Sequence, residues 1–270
     1  MPTSYKKRRT ARWGPMKPAA NLSLLWQELP YLDRFEAAAR AGFAAVEVLF
    51  PYDIAVKETK RACLRHGLDL ILINAPPPNY TGGPRGFAAV PELVDRFRAD
   101  MVRVYRYAEA LNVKFVHVMA GDGSGAAAAD TFISNLVWAS DAAPAGLTLT
   151  IEPLNPVAMP GYFLNDYQLA QDILEAVNAA NVGLQYDSYH AQVIHGDAVK
   201  VFDQYQDLIC HVQIGDGPDR TAPGTGTGIA RIDFAALFSR LKSCEYGGWI
   251  SGEYHPGPVT ENSLDWMKML

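Results

Sequence analysis

Leu147-Thr148-Leu149-Thr150-Ile151-Glu152 is a short apolar-rich run that stops on a carboxylate. Seven other runs, at 19–24, 44–50, 68–74, 115–119, 182–187, 209–214 and 248–253, share its length and apolar content. They are short and mostly unalternating, as strands buried on both faces are. Between them lie segments with apolar residues at helical spacing. Examples are Leu32, Phe35 and Ala39 after Pro30, and Val94, Phe97, Met101, Val104, Ala108 and Leu111 after Pro91. Strand and helix alternating eight times, in a chain of 270 residues, predict an α/β fold with a single (β/α)8 barrel over 18–270, since such barrels average about 250 residues.

In that fold all strands end on one rim, where residues far apart in sequence converge. Glu47, Asn74, Glu152, Asp187, Gln213 and Glu253 each stand at or near the end of a separate run. Two loops on that rim, 75–90 and 215–231, exceed what a compact barrel needs, and long loops there carry function; a third, 153–165, follows directly on Glu152 and would overhang the same mouth. The Gly-Thr-Gly-Thr-Gly of 224–228 lacks the Lys-Ser/Thr ending of a phosphate loop and reads as a flexible lid.

Composition narrows the partners. With 24 Lys plus Arg against 29 Asp plus Glu, the chain has the wrong sign for an electrostatic grip on nucleic acid. Its three cysteines, Cys63, Cys210 and Cys244, form no CxxC pair, which argues against a disulfide framework or a zinc ribbon and for a reducing cytoplasm. Residues 1–17 are rich in Lys and Arg without a following signal-peptide core, so they read as a disordered leader, an extended start or an expression remnant, with a nucleic-acid arm as the lesser alternative, and no membrane partner is expected. A homo-oligomer is possible for such a barrel, but no exposed stripe decides it.

The chemistry centres on two glutamates. Glu152 and Glu253 occupy equivalent places after the fifth and eighth runs, and two carboxylates at one mouth suit a proton taken from one carbon and returned to its neighbour. With Asp187 and Gln213 they form an all-oxygen set suited to Mg²⁺ or Mn²⁺. For Gln213 alone, a rim hydrogen bond is the plainer account. His190, three residues past Asp187, is placed to reach a substrate oxygen. Arg220 in the seventh loop offers a planar fork for a substrate carboxylate, with a loop salt bridge to Asp219 as the competing account. His117 and His211 read as satisfied core residues, and His66, His195 and His255 as surface residues.

A resemblance sharpens this. Val46-Glu47, Asn74-Ala75-Pro76-Pro77, His117-Val118-Met119-Ala120-Gly121, Ile151-Glu152-Pro153-Leu154-Asn155, Pro160-Gly161-Tyr162-Phe163-Leu164, His211-Val212-Gln213-Ile214 and Gly252-Glu253-Tyr254, in that order, resemble the hydroxypyruvate isomerase family of the xylose isomerase-like barrels. The match runs from about Pro18 to the C-terminus. It implies conversion of hydroxypyruvate to tartronate semialdehyde through an enediol, with Glu152 and Glu253 as the acid/base pair; by their places on the rim, Glu47, Asn74, His190 and Arg220 are expected around the substrate. It also implies a divalent metal at Glu152, Asp187, Gln213 and Glu253, where sugar epimerases usually have His at the third position. Two segments depart from the family pattern: Pro84-Arg85-Gly86 replaces a Glu-Arg-Gly, and 224–232 is an opened form of Gly-Thr-Gly-Glu-Ile. The expected substrate is a small hydroxy-oxo acid or sugar. The alternatives are a 2-oxo-tetronate isomerase, a ketose 3-epimerase and a non-catalytic sugar-acid-binding barrel. A DNA-repair endonuclease would call for many His ligands and a basic face.

Overall fold

A computed structural model describes residues 15–79, 83 and 85–270. Eight parallel strands close into a barrel in chain order: β1 (Lys17–Asn21), β2 (Ala45–Val48), β3 (Asp69–Asn74), β4 (Phe115–His117), β5 (Thr148–Ile151), β6 (Val182–Asp187), β7 (Ile209–Ile214) and β8 (Trp249–Gly252). Most of the leader, 1–14, lies outside the described residues, as does Pro84. Lys17 already belongs to β1, pairing with Trp249 of β8. The helices are α1 (Asp33–Arg40), α2 (Val56–His66), α3 (Val94–Leu111), α4 (Gly125–Ala142), α5 (Tyr167–Val177), α6 (Ser188–His195), α7 (Ala198–Tyr205) and α8 (Phe234–Ser243).

The alternation is less even than eight identical units. Two helices, α6 and α7, join β6 to β7, and β8 is followed only by short 3-10 turns at Thr260–Ser263 and Asp265–Met269. Pro256 and Pro258 interrupt this last segment, and no apolar stripe of helical period follows. It is anchored instead by Trp266, whose indole N–H donates to the Tyr254 hydroxyl at 2.9 Å.

The barrel interior is layered. Ala19, Ala45, Ile71, Leu72, Phe115 and Cys210 form an apolar plug at one end. The Phe115 ring packs on His211, with centroids 5.0 Å apart, and from His211 upward the inward positions become polar. Register shifts fall between Val46 and Glu47 and between Leu184 and Gln185, where two of those polar residues enter. Such irregularities re-aim side chains at barrel rims.

The rim loops are stitched to one another. Gly86 bridges Ala120, and Asp122 bridges Tyr162. The Ala120 N–H donates to the Tyr162 hydroxyl at 2.8 Å, and the Phe163 N–H to the Gly121 carbonyl at 2.9 Å. A Cβ on Gly86 would lie 2.3 Å from that of Met119, and one on Gly121 would lie 2.3 Å from the Gly86 carbonyl oxygen, both at positive φ. Only glycine permits this approach.

Candidate active site

A cavity of about 170 Å³ opens where the strands end, lined among others by Asn74, His117, Glu152, His190, Arg220 and Glu253. All three rim loops reach it: Arg85 comes from 75–90, Leu154, Ala158 and Met159 from 153–165, and Arg220 from 215–231. Since one water needs about 10–15 Å³ of space of this kind, the cavity has room for a small multi-carbon substrate.

Each functional side chain is aimed by local structure. Asp187 ends β6 and caps α6, one oxygen accepting the Tyr189 N–H at 2.8 Å, as N-capping carboxylates do. Its other oxygen lies 2.5 Å from Arg220 Nη2, which is also 3.2 Å from Glu253 Oε1. Arg220 Nε donates to the Glu253 carbonyl at 2.9 Å. Arg220 is held at φ 54°, a conformation rare for a side-chain-bearing residue. Its guanidinium, expected to meet a substrate carboxylate or Asp219, thus sits on two protein carboxylates.

His190, in the first turn of α6, accepts the Asn155 backbone N–H on Nδ1 at 2.9 Å. The Asn155 side chain is oriented by the Ala158 N–H on its Oδ1 and sets its own amide nitrogen 2.9 Å from the same ring atom. A backbone N–H can only donate, so the neutral ring carries its proton on Nε2. Burial, then the charges of Arg220 and His117, hold the His190 pKa well below the usual range. The neutral N–H is a hydrogen-bond donor suited to a substrate oxygen.

Beneath the cavity runs a chain of buried hydrogen bonds. Gln185 Nε2 donates to Glu152 Oε2 at 2.8 Å and to Gln213 Oε1 at 2.7 Å. Thr150 donates to Gln185 Oε1, and Gln213 Nε2 to Glu47 Oε2, each at 2.8 Å. His211 Nε2 lies 2.5 Å from Glu47 Oε1. Glu47, fully buried, therefore lies in the layer under the site and does not line the cavity. His211 is the core residue expected. His117 is not: it lines the cavity, with Nδ1 3.4 Å from Glu152 Oε2. Its burial in strand β4 alone could not reveal that.

Three polar atoms of cavity-lining residues, Asn74 Oδ1, His117 Nε2 and Glu152 Oε1, are buried without a partner. Such atoms call for a ligand, because an unpaired buried polar group is costly. Burial, followed by the charges of Asp187 and Glu253, raises the Glu152 pKa well above the carboxylate range. Burial pushes Glu253 up to about 8 against the pull of Arg220. Burial also raises Asp187, again opposed by Arg220. Burial alone would lower Arg220, but Asp187, Glu253 and Glu152 outweigh it. Glu152, Asp187 and His190 bring potential ligand atoms within 4.8 Å of one another. The two carboxylates, with one Glu152 oxygen free, fit a divalent cation, whereas His190, with Nδ1 occupied by the Asn155 N–H, has no lone pair to add.

The seventh loop is not a loose lid. Asp216, fully buried, accepts the backbone N–H groups of Gly217, Gly224, Gly226 and Ile232, each at 2.9 Å. Ser188 ties the ends of β6 and β7, donating to the Gly215 carbonyl at 2.9 Å and accepting the Gly215 N–H at 3.1 Å. Gln185 and Asp216 were not singled out from sequence, and His117 was read as a core residue. Only Gln185 had a signal, since it is two positions from Asp187 on one strand and so shares its face.

Comparison with known proteins follows the same lines. The family described as xylose isomerase-like TIM barrel matches residues 35–270. A 2-oxo-tetronate isomerase from Cupriavidus necator is 40% identical over 255 residues, covering 93% of this chain and 96% of its own. The hydroxypyruvate isomerase of Escherichia coli is 35% identical over 254 residues, covering 92% and 97%. Among solved structures, a Brucella melitensis protein described as an AP endonuclease of family 2 superposes with a TM-score of 0.88 at 39% identity, covering 94% and 98%. The E. coli 3-keto-D-glucoside 4-epimerase, at 21% identity and a TM-score of 0.75 with 94% and 99% covered, shares the fold.

Proposed function

Because this chain belongs to the xylose isomerase-like TIM barrel family and is an isomerase by its relatives, we propose that it interconverts 3-hydroxy-2-oxo acids and 2-hydroxy-3-oxo acids, with hydroxypyruvate and tartronate semialdehyde as the leading pair. A 2-oxo-tetronate poses the same chemistry with one more carbon. The observation that carries the reading is the pair Glu152 and Glu253, two buried carboxylates on the wall of one small cavity.

In the forward direction one glutamate takes a proton from C3, the C2 oxo oxygen is protonated, and an enediol forms. The C3 hydroxyl then gives up its proton as the C3 carbonyl forms, while the second glutamate delivers a proton to C2. The raised pKa of Glu253, about 8, places it where a carboxyl group can both give and accept a proton near neutrality. His190 Nε2–H donates to the substrate oxygen, and Asn74 with its free Oδ1 accepts from a substrate hydroxyl. Arg220, between Asp187 and Glu253, sets the orientation of the Glu253 carboxyl and balances its charge. The buried chain from Glu47 through Gln213 and Gln185 fixes Glu152 Oε2 and leaves Oε1 for chemistry.

Glu152, Asp187, Gln213 and Glu253 would hold a divalent cation such as Mg²⁺ or Mn²⁺. When bound, it supplies Lewis-acid polarisation of the substrate oxygens and favours ionised carboxylates. Gln213 would have to turn its oxygen from Gln185 to join the set.

The test is a screen of hydroxypyruvate, a 2-oxo-tetronate and free ketoses, with and without EDTA, followed by NMR. Turnover of the oxo acids is expected to exceed that of any ketose. Preference for a ketose would overturn the proposal.

A further inference from the structure

Among the described residues two cations line the cavity, Arg85 and Arg220, and their charges are differently committed. Arg220 is shared between Asp187 and Glu253. Its Nη2 already serves both carboxyl groups and its Nε the Glu253 carbonyl, so an incoming acid would find the fork engaged. Arg85 has no ion-pair partner among the described residues, and it is an exposed residue that nonetheless lines the cavity.

The backbone that carries Arg85 is fixed. The adjacent Gly86 bridges Ala120 at the end of β4, at a φ of +85° and so close that a Cβ would lie 2.3 Å from the Met119 Cβ. The Ala88 and Ala89 N–H groups add bonds of 3.3 and 2.8 Å to the Met119 and Ala120 carbonyls. A long side chain anchored in this way returns to the same wall at each encounter. Its charge is felt within the site, where it opposes the upward push of burial on Glu253.

We propose that Arg85, and not Arg220, binds the substrate carboxylate and thereby makes the site selective for oxo acids over uncharged ketoses. The assignment rests on the reading that the chain isomerises 3-hydroxy-2-oxo acids. A guanidinium pairs with a carboxylate through two parallel N–H···O bonds. Held at C1 by Arg85 on the mouth side, the substrate presents C2 and C3 to the glutamates deeper in the cavity. No proton passes through Arg85, so it governs binding and not turnover.

The experiment compares wild type with Arg85→Gln, Arg85→Lys and Arg85→Ala on hydroxypyruvate. Arg85→Gln is expected to raise KM about tenfold to hundredfold, the worth of a hydrogen bond to a charged group, with kcat within about threefold. Arg85→Lys should fall between, because it keeps the charge and loses the fork. Added guanidinium ion at concentrations that leave wild type unaffected should lower the KM of Arg85→Ala. An unchanged KM in Arg85→Gln overturns the proposal. So does a raised KM that neither lysine nor guanidinium recovers, since that marks a disturbed loop. Wild type inert toward both hydroxypyruvate and a 2-oxo-tetronate would sink the function itself, and this assignment with it, before any variant was measured.

Discussion

Asp216→Asn probes the organisation of the seventh loop at a single atom. The carboxylate receives four backbone N–H groups, those of Gly217 and Ile232 on Oδ1 and those of Gly224 and Gly226 on Oδ2, all at 2.9 Å. An amide can keep one pair of these bonds, but it turns its own N–H₂ toward the other pair. Two hydrogen bonds to a charged acceptor are lost, each worth about 1.5–3 kcal/mol, so the loop loses roughly 3–6 kcal/mol. The loss cannot exceed what it costs the loop to open by itself, and opening is therefore the first readout. Exchange of the Gly224 and Gly226 amides should accelerate about 10²-fold or more, a tenfold for every 1.4 kcal/mol. If the loop melts together with the barrel, Tm falls by about 6 °C or more. The turn from Asp216 to Thr221 also carries Arg220, so kcat should drop as well. Asp219→Asn, at an exposed position three residues on, is the control and should change none of these. Hydrogen exchange by mass spectrometry and a thermal melt decide the matter. Protection and Tm equal to wild type would show that the Asp216 carboxylate does not organise the loop.

Glu152→Gln and Glu253→Gln keep size and hydrogen bonding but remove the carboxylate that moves the proton. Each should lower kcat at least about 10²-fold with an unchanged melting curve, and near-normal turnover in either variant would remove that residue from the chemistry. Titration calorimetry with Mn²⁺ should show one ion per chain in wild type and none in Asp187→Asn, because the amide offers a weaker, neutral ligand. Binding that survives this change would place the ion elsewhere.

Much of the architecture could be read from the chain because a parallel barrel writes each strand as a brief apolar run with a polar residue where it meets the rim. Glu152 at the end of β5 and Asp187 at the end of β6 are found that way. The last unit was harder to read: after β8, stabilisation comes from Trp266 and Thr260 reaching Tyr254 and Trp26, contacts with no local periodicity. Within the site, Gln185 was marked only by its two-residue spacing from Asp187, because every residue of β6 is buried and apolar pattern alone does not tell the inward face from the outward one. The glycines at 224, 226 and 228 implied mobility, whereas two of them serve to bring backbone N–H groups onto Asp216. That function depends on the chain folding back on itself. Arg85 likewise acquires its place from the close approach of Gly86 to Met119, which lies 33 positions away by residue number.

The central claim is that two different carboxylates handle the two carbon-bound protons. Hydroxypyruvate carrying deuterium at both C3 positions, converted in ordinary water and read by NMR, tests it directly. With separate acid and base, the product should hold one deuterium at C3 and only solvent hydrogen at C2. Deuterium carried over to C2 would mean that one carboxyl group shuttles the proton, and would contradict the account.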